Sequence, residues 1–99
     1  MTIRGQQVRQ VYRFSDSIAP QTISISAIHA QSAQLNAHEV LISSSTDCFF
    51  LEGSNPTATI ANGVRLPANT SWVIQVNPGN KLSIITSSAT GTFHIAALA

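Results

Sequence analysis

The sequence predicts an all-β protein: a small antiparallel β-sandwich of two sheets, connected as a jelly roll or Greek key and built from about seven or eight short strands. Three observations predict it. Short runs rich in β-formers recur between clusters of turn residues. Gly53, Gly63, Gly79 and Gly91 all fall between such runs. The segment with the strongest helical composition, residues 28–37, lacks a sustained i, i+3, i+4 apolar stripe. At 99 residues the chain holds one core, and we treat residues 1–99 as a single domain in which residues 1–7 form an extended N-terminal arm.

In chain order, residues 8–14 (VRQVYRF) alternate as a strand with a basic face, and the Ser15, Asp16, Ser17 and Pro20 cluster ends it. Residues 21–27 place Ile23, Ile25 and Ala27 on one face and Thr22, Ser24 and Ser26 on the other. Residues 28–37 are expected to be mainly extended, with a turn near Asn36. A strand over 39–43 puts Val40 and Ile42 together, and residues 44–47 make a polar turn. Residues 48–52 (CFFLE) are too short for a helix and too apolar for a loop, so they read as a buried strand.

Residues 57–61 are β-compatible, and Asn62-Gly63 is a pair that tolerates the positive φ of a tight hairpin, returning through 64–66. Residues 71–76 (SWVIQV) align Trp72, Ile74 and Val76. Asn77-Pro78-Gly79-Asn80 has the residues of a type II turn, with Pro second and Gly third. The last strands are expected over 81–85 and 92–98.

Composition narrows the function. Charged residues are 9% of the chain and the net charge is +1, which gives no bulk attraction to nucleic acid or to an anionic membrane. A surface of Ser, Thr, Asn and Gln suits a chain that works inside an assembly. Arg4, Arg9 and Arg13 precede the first acid, Asp16, and make a basic arm. The chain has no signal-peptide-like start and no apolar run long enough to span a bilayer, so synthesis in a cytoplasm is expected.

The chemistry-bearing residues are scattered. Asp16, Glu39, Asp47 and Glu52 form no local acid pair, and Asp47 and Glu52 point to opposite faces of an extended segment. His29, His38 and His94 sit in no H-x-H or H-E-x-x-H pattern, and the glycines make no phosphate loop. Cys48, the single cysteine, begins an apolar strand and reads as a small buried hydrophobe. No catalytic residue, metal or cofactor is expected. Phe49 and Phe50 are adjacent, so one faces away from the core. A strand apolar on both faces predicts a cover from outside the monomer, with Phe49 as an anchor. Trp72 runs in phase with Ile74 and Val76, which places it in the core or at a subunit interface rather than on an exposed sugar platform.

The stretches TDC, an apolar triplet and EGSNPTAT (46–59), RLPAN (65–69), VNPGNKLSII (76–85) and GTFHIAAL (91–98) together resemble small virion proteins of tailed bacteriophages. The resemblance covers the C-terminal half well and residues 1–37 loosely. It implies a non-enzymatic capsid decoration or cement protein on the capsid exterior. Such a protein binds the major capsid protein and assembles as a homo-oligomer, a trimer or another small ring. Arg4, Arg9 and Arg13 are then the expected arm contacts, with Phe49 and Trp72 as interface anchors. The alternatives are a glycan-binding tail or fibre module that stacks sugar on Trp72 and Tyr12, and a head-tail junction protein.

Overall fold

Alternation of apolar and polar residues is converted into two packed layers in the computed structural model, which describes residues 13–99. The strands are β1 (Gln21–Ile25), β2 (Ala30–Gln31), β3 (Glu39–Ser44), β4 (Cys48–Gly53), β5 (Val64–Leu66), β6 (Ser71–Gln75), β7 (Lys81–Ile85) and β8 (Gly91–Ala97). One sheet has the order β1-β8-β3-β6 and the other β2-β7-β4-β5, with every pair antiparallel. First pairs with last, second with seventh, third with sixth and fourth with fifth. That order is one long antiparallel hairpin rolled into a sandwich, the jelly roll.

The core lies between the sheets. Val40 and Ile42 from β3 and Phe93 and Ile95 from β8 line one side; Cys48 and Phe50 from β4 and Leu82 and Ile84 from β7 line the other. Trp72 and Ile74 of β6 pack against this cluster while staying half-buried, and Trp72 meets the Phe50 ring edge-on, with centroids 6.3 Å apart and planes at 74°. Such aromatic pairs contribute about 0.5–1.5 kcal/mol beyond the area they bury.

The predicted turn at 77–80 forms as expected. Gly79 has φ +94°, a conformation open to glycine at little cost, and Asn80 N–H donates to Asn77 O at 3.0 Å. Within residues 28–37 only the short β2 is regular strand and the rest is irregular with bends at Ile28 and Ala37, and no helix occurs among the described residues.

Three expectations are corrected. The strand expected to run to Ala27 stops at Ile25, and Ala27 is exposed in a bend. Residues 57–61 form no strand. They belong to a loop, 54–63, whose turn is closed by side chains: Asn62 Oδ1 accepts from Thr59 N–H at 2.7 Å and Thr59 Oγ1 accepts from Asn62 N–H at 3.1 Å. Asn62-Gly63 is not a mirror-image hairpin turn, since Asn69 and Gly79 alone among the described residues have positive φ. Propensity suited a strand at 57–61, but Pro56 removes a backbone donor beside it and the loop gains more by burying Pro56 and Ala58.

The predicted strand 8–14 lies almost wholly outside the described residues. Its last residue, Phe14, makes an antiparallel bridge with Leu98, flanked by Ser15 N–H to Ala97 O at 3.0 Å and Ala99 N–H to Arg13 O at 2.7 Å.

Candidate interaction surface

Each residue type that carries chemistry in other proteins has a structural task here. Cys48 is fully buried, and burial pushes its thiol pKa up, an effect that the neighbouring Ser44 hydroxyl offsets only in part. A buried thiol with a raised pKa is unreactive. Ser83 is also fully buried: its Oγ accepts Ala58 N–H at 2.9 Å and lies 3.1 Å from His29 Nδ1. The hydroxyl thereby ties loop 54–63 onto β7. His94 Nδ1 lies 3.4 Å from Thr22 Oγ1, across the β1/β8 ladder. Glu52 Oε2 accepts from Asn77 N–H at 2.7 Å and Asn80 Nδ2 at 3.0 Å, bracing the 77–80 turn. Among the described residues no group of three or more His, Cys, Asp or Glu is placed to hold a metal ion.

Asp47 is the most heavily used acid. Its Oδ1 accepts Ala68 N–H at 2.7 Å and its Oδ2 takes Arg65 Nη2 at 2.9 Å, joining the start of β4 to the β5-β6 turn. The Ala68 bond first and the Arg65 bond second hold its pKa below the ordinary 3.8. A depressed carboxylate pKa stabilises the fold above the unfolded-state value and loses that contribution as pH falls through the folded-state value. Asp47→Asn is therefore expected to lower the urea midpoint modestly at pH 7. The gap from wild type should close as the pH drops through the carboxylate range; a gap that stays constant with pH overturns the charge-based account.

The second face of β4 has part of its cover within the chain. Phe49 and Leu51 point outward from the second sheet and are half-buried. Loop 54–63 lies over that face: Pro56 and Ala58 are buried, Gln31 Nε2 donates to Pro56 O at 2.7 Å, and a Cβ on Gly63 would stand 2.7 Å from Phe49 Cβ. Part of the cover expected from outside the monomer over Phe49 is therefore supplied by the chain itself, because the β4-β5 connection folds back onto its own strand; Phe49 and Leu51 stay half-buried. Trp72 faces inward from β6, against Phe50.

Arg13 is exposed at the rim of an open groove of about 740 Å³, lined also by Phe14, Asp16, Ile18, His38, Glu39 and Leu98. Phe14 is 52% exposed there. Arg4, Arg9 and Tyr12 lie outside the described residues.

Among the described residues nothing is layered over the outer face of the first sheet, whose side chains are exposed or half-buried. One row crosses all its strands: Thr22 of β1 stands beside His94 of β8, His94 beside Ser43 of β3, and Ser43 beside Ser71 of β6. Ser24 and Thr92 pair in the next row, and Ala96, Leu41 and Val73 form a half-buried apolar row further along. Among the described residues Glu39 is the sole acid on this face, paired with Gln75. Thr22, Ser24, Ser43, Ser71, Thr92 and His94 are the polar partners in alternating strands, so the sequence holds the signal for their outward direction, whereas Leu41 and Val73 carry no such signal. Their assembly into one face depends on strand order.

A jelly roll, eight-stranded among the described residues, with an almost uncharged, hydroxyl-bearing outer face is the class of protein these features define. No protein-family model, no curated protein and no solved structure matches the chain.

Proposed function

We propose that the protein is a non-enzymatic structural component of a tailed-phage virion: a capsid decoration or cement protein that binds the major capsid protein on the capsid exterior. The observation that carries this reading is the outer face of β1-β8-β3-β6, which among the described residues presents hydroxyls, an apolar row of Leu41, Val73 and Ala96, and only one carboxylate. Stable protein contacts of standard size bury about 1,200–2,000 Å² and use a surface no more apolar than average, with many hydrogen bonds and bridging waters. The resemblance at 46–59, 65–69, 76–85 and 91–98 supplies the virion context. The structural tasks of Asp47, Glu52, Cys48 and Ser83 agree with a protein that binds and does not catalyse. Sugar stacking has less support, since it needs an open aromatic face and Trp72 is packed against Phe50.

Binding of the purified protein to particles of the phage that encodes it tests the reading. His94→Glu puts an acid in the middle of the face, on a central strand and at an exposed position. It is expected to leave the fold intact and to reduce particle occupancy at least roughly tenfold, a change of about 1.4 kcal/mol. Deleting residues 1–7 is expected to leave a folded domain that no longer coats capsids. Unchanged occupancy of the first variant overturns the face, and of the second the arm.

A further inference from the structure

A jelly roll of two open sheets has four edge strands, and unpaired edges invite pairing with other chains. Here the edges differ in how they are guarded. β2 has two residues, and β1 is tied to the chain just beyond β2 by Gln21 Oε1, which accepts Ala33 N–H at 2.9 Å. β5 has three residues and carries Arg65, ion-paired with Asp47. β6 is different. It reads Ser71-Trp72-Val73-Ile74-Gln75, with no charge, no proline and no glycine. Its length equals that of β1, and among the described residues no other strand lies on its outer side.

Hydrogen-bond parity shows what this edge presents. Val76 N–H donates to His38 O at 2.8 Å, continuing the β3/β6 register in which Ile74 faces Val40 and Trp72 faces Ile42. Hydrogen-bonded and non-bonded pairs alternate along an antiparallel ladder, so Trp72, Ile74 and Val76 direct their N–H and C=O toward β3. Ser71, Val73 and Gln75 direct theirs outward.

We propose that β6 pairs antiparallel with β6 of a second copy, on a two-fold axis through Val73, joining the two first sheets into one continuous sheet. In this register the outward groups of Ser71 meet those of the partner's Gln75, and Val73 meets the partner's Val73, each as a hydrogen-bonded pair. The side chains also match. On the inner face Trp72 lies opposite the partner's Ile74, an aromatic and β-branched pair of the kind that stabilises sheets. Both residues are half-buried in the single chain, so the pairing supplies the cover they lack. On the outer face Ser71 can bond the partner's Gln75, and Val73 packs on its own copy. A two-fold contact sets like against like, which a charged edge would oppose and this uncharged one permits. The contact closes on itself as a dimer, unlike the trimer or ring that the phage resemblance implies, and it stands or falls apart from the virion reading.

Sedimentation of the full chain in solution, over a range of concentrations, tests the pairing. Wild type is expected to dimerise, while Val73→Lys and Val73→Glu each weaken dimerisation at least roughly tenfold by placing like charges across the axis. An equimolar mixture of the two variants is expected to recover the dimer, because a lysine then faces a glutamate across that axis. Val73 is half-exposed on the outer face, so circular dichroism should show both variants folded. Ser71→Pro, which removes one outward N–H at the exposed first residue of β6, is a second dimer-breaking variant that leaves the β3 ladder intact. The proposal is overturned by a wild-type monomer at all concentrations, whether the edge is bare or covered by residues 8–12 or another strand. It is equally overturned by variants as dimeric as wild type, or by a mixture that stays monomeric.

Discussion

Phe93→Ala is expected to lower the free energy of unfolding by about 3–5 kcal/mol, the usual cost of removing a buried aromatic side chain. Phe93 is the largest fully buried side chain among the described residues, and it belongs to β8, which is hydrogen-bonded on both sides. Ile23 stands opposite it on β1 and Ser44 on β3, so the strands that would have to close the void are held in register by both ladders. Relaxation is therefore limited, and the cavity penalty adds to the lost transfer free energy. A domain of this size has a total stability of about 5–15 kcal/mol, and each kcal/mol shifts the melting temperature by about 4–8 °C. The variant should melt tens of degrees lower and stand close to unfolding. A loss below about 1 kcal/mol in urea titration would contradict the burial of this ring.

Gly63→Ala is expected to cost about 1–3 kcal/mol, the range for overpacking a filled site. The added methyl would stand 2.7 Å from Phe49 Cβ and 3.0 Å from Thr59 O, with the Phe49 carbonyl carbon at 3.3 Å. Two of these atoms are backbone and the third is fixed to it, so no rotamer change relieves the contact. The loop must lift instead. Its lift strains the tie from Ala58 N–H to Ser83 Oγ and uncovers Phe49. Hydrogen exchange should speed up at Ala58 and Gly63, with β8 least affected, and the denaturation midpoint should fall. Exchange at Ala58 equal to wild type would show that loop 54–63 does not depend on this close approach.

Much of the fold was legible along the chain because β structure in a sandwich is written as a period of two. Val40 and Ile42, Cys48 and Phe50, and Trp72 and Ile74 all face the core as their alternation required. The 77–80 turn was equally legible, since Pro78 and Gly79 each restrict or release φ locally. The misreadings arose where local propensity met tertiary opportunity. Residues 57–61 have the composition of a strand, yet the outer side of the second sheet, through Gln31 and Ser83, holds the loop in which Pro56 and Ala58 are buried. The same loop supplies part of the cover over Phe49.

By itself, the sequence determined the all-β class, the positions of most strands and turns, and the inert character of Cys48, because these depend on side-chain period, backbone restriction and local polarity. The tertiary structure alone set the jelly-roll order, the partial cover that loop 54–63 lays over the outer face of β4, and the row Thr22-His94-Ser43-Ser71. The strand order and the row join residues tens of positions apart. Contacts at such separation follow from which strands pair and in what register, a choice made by the packing of the whole core and not written into any one segment.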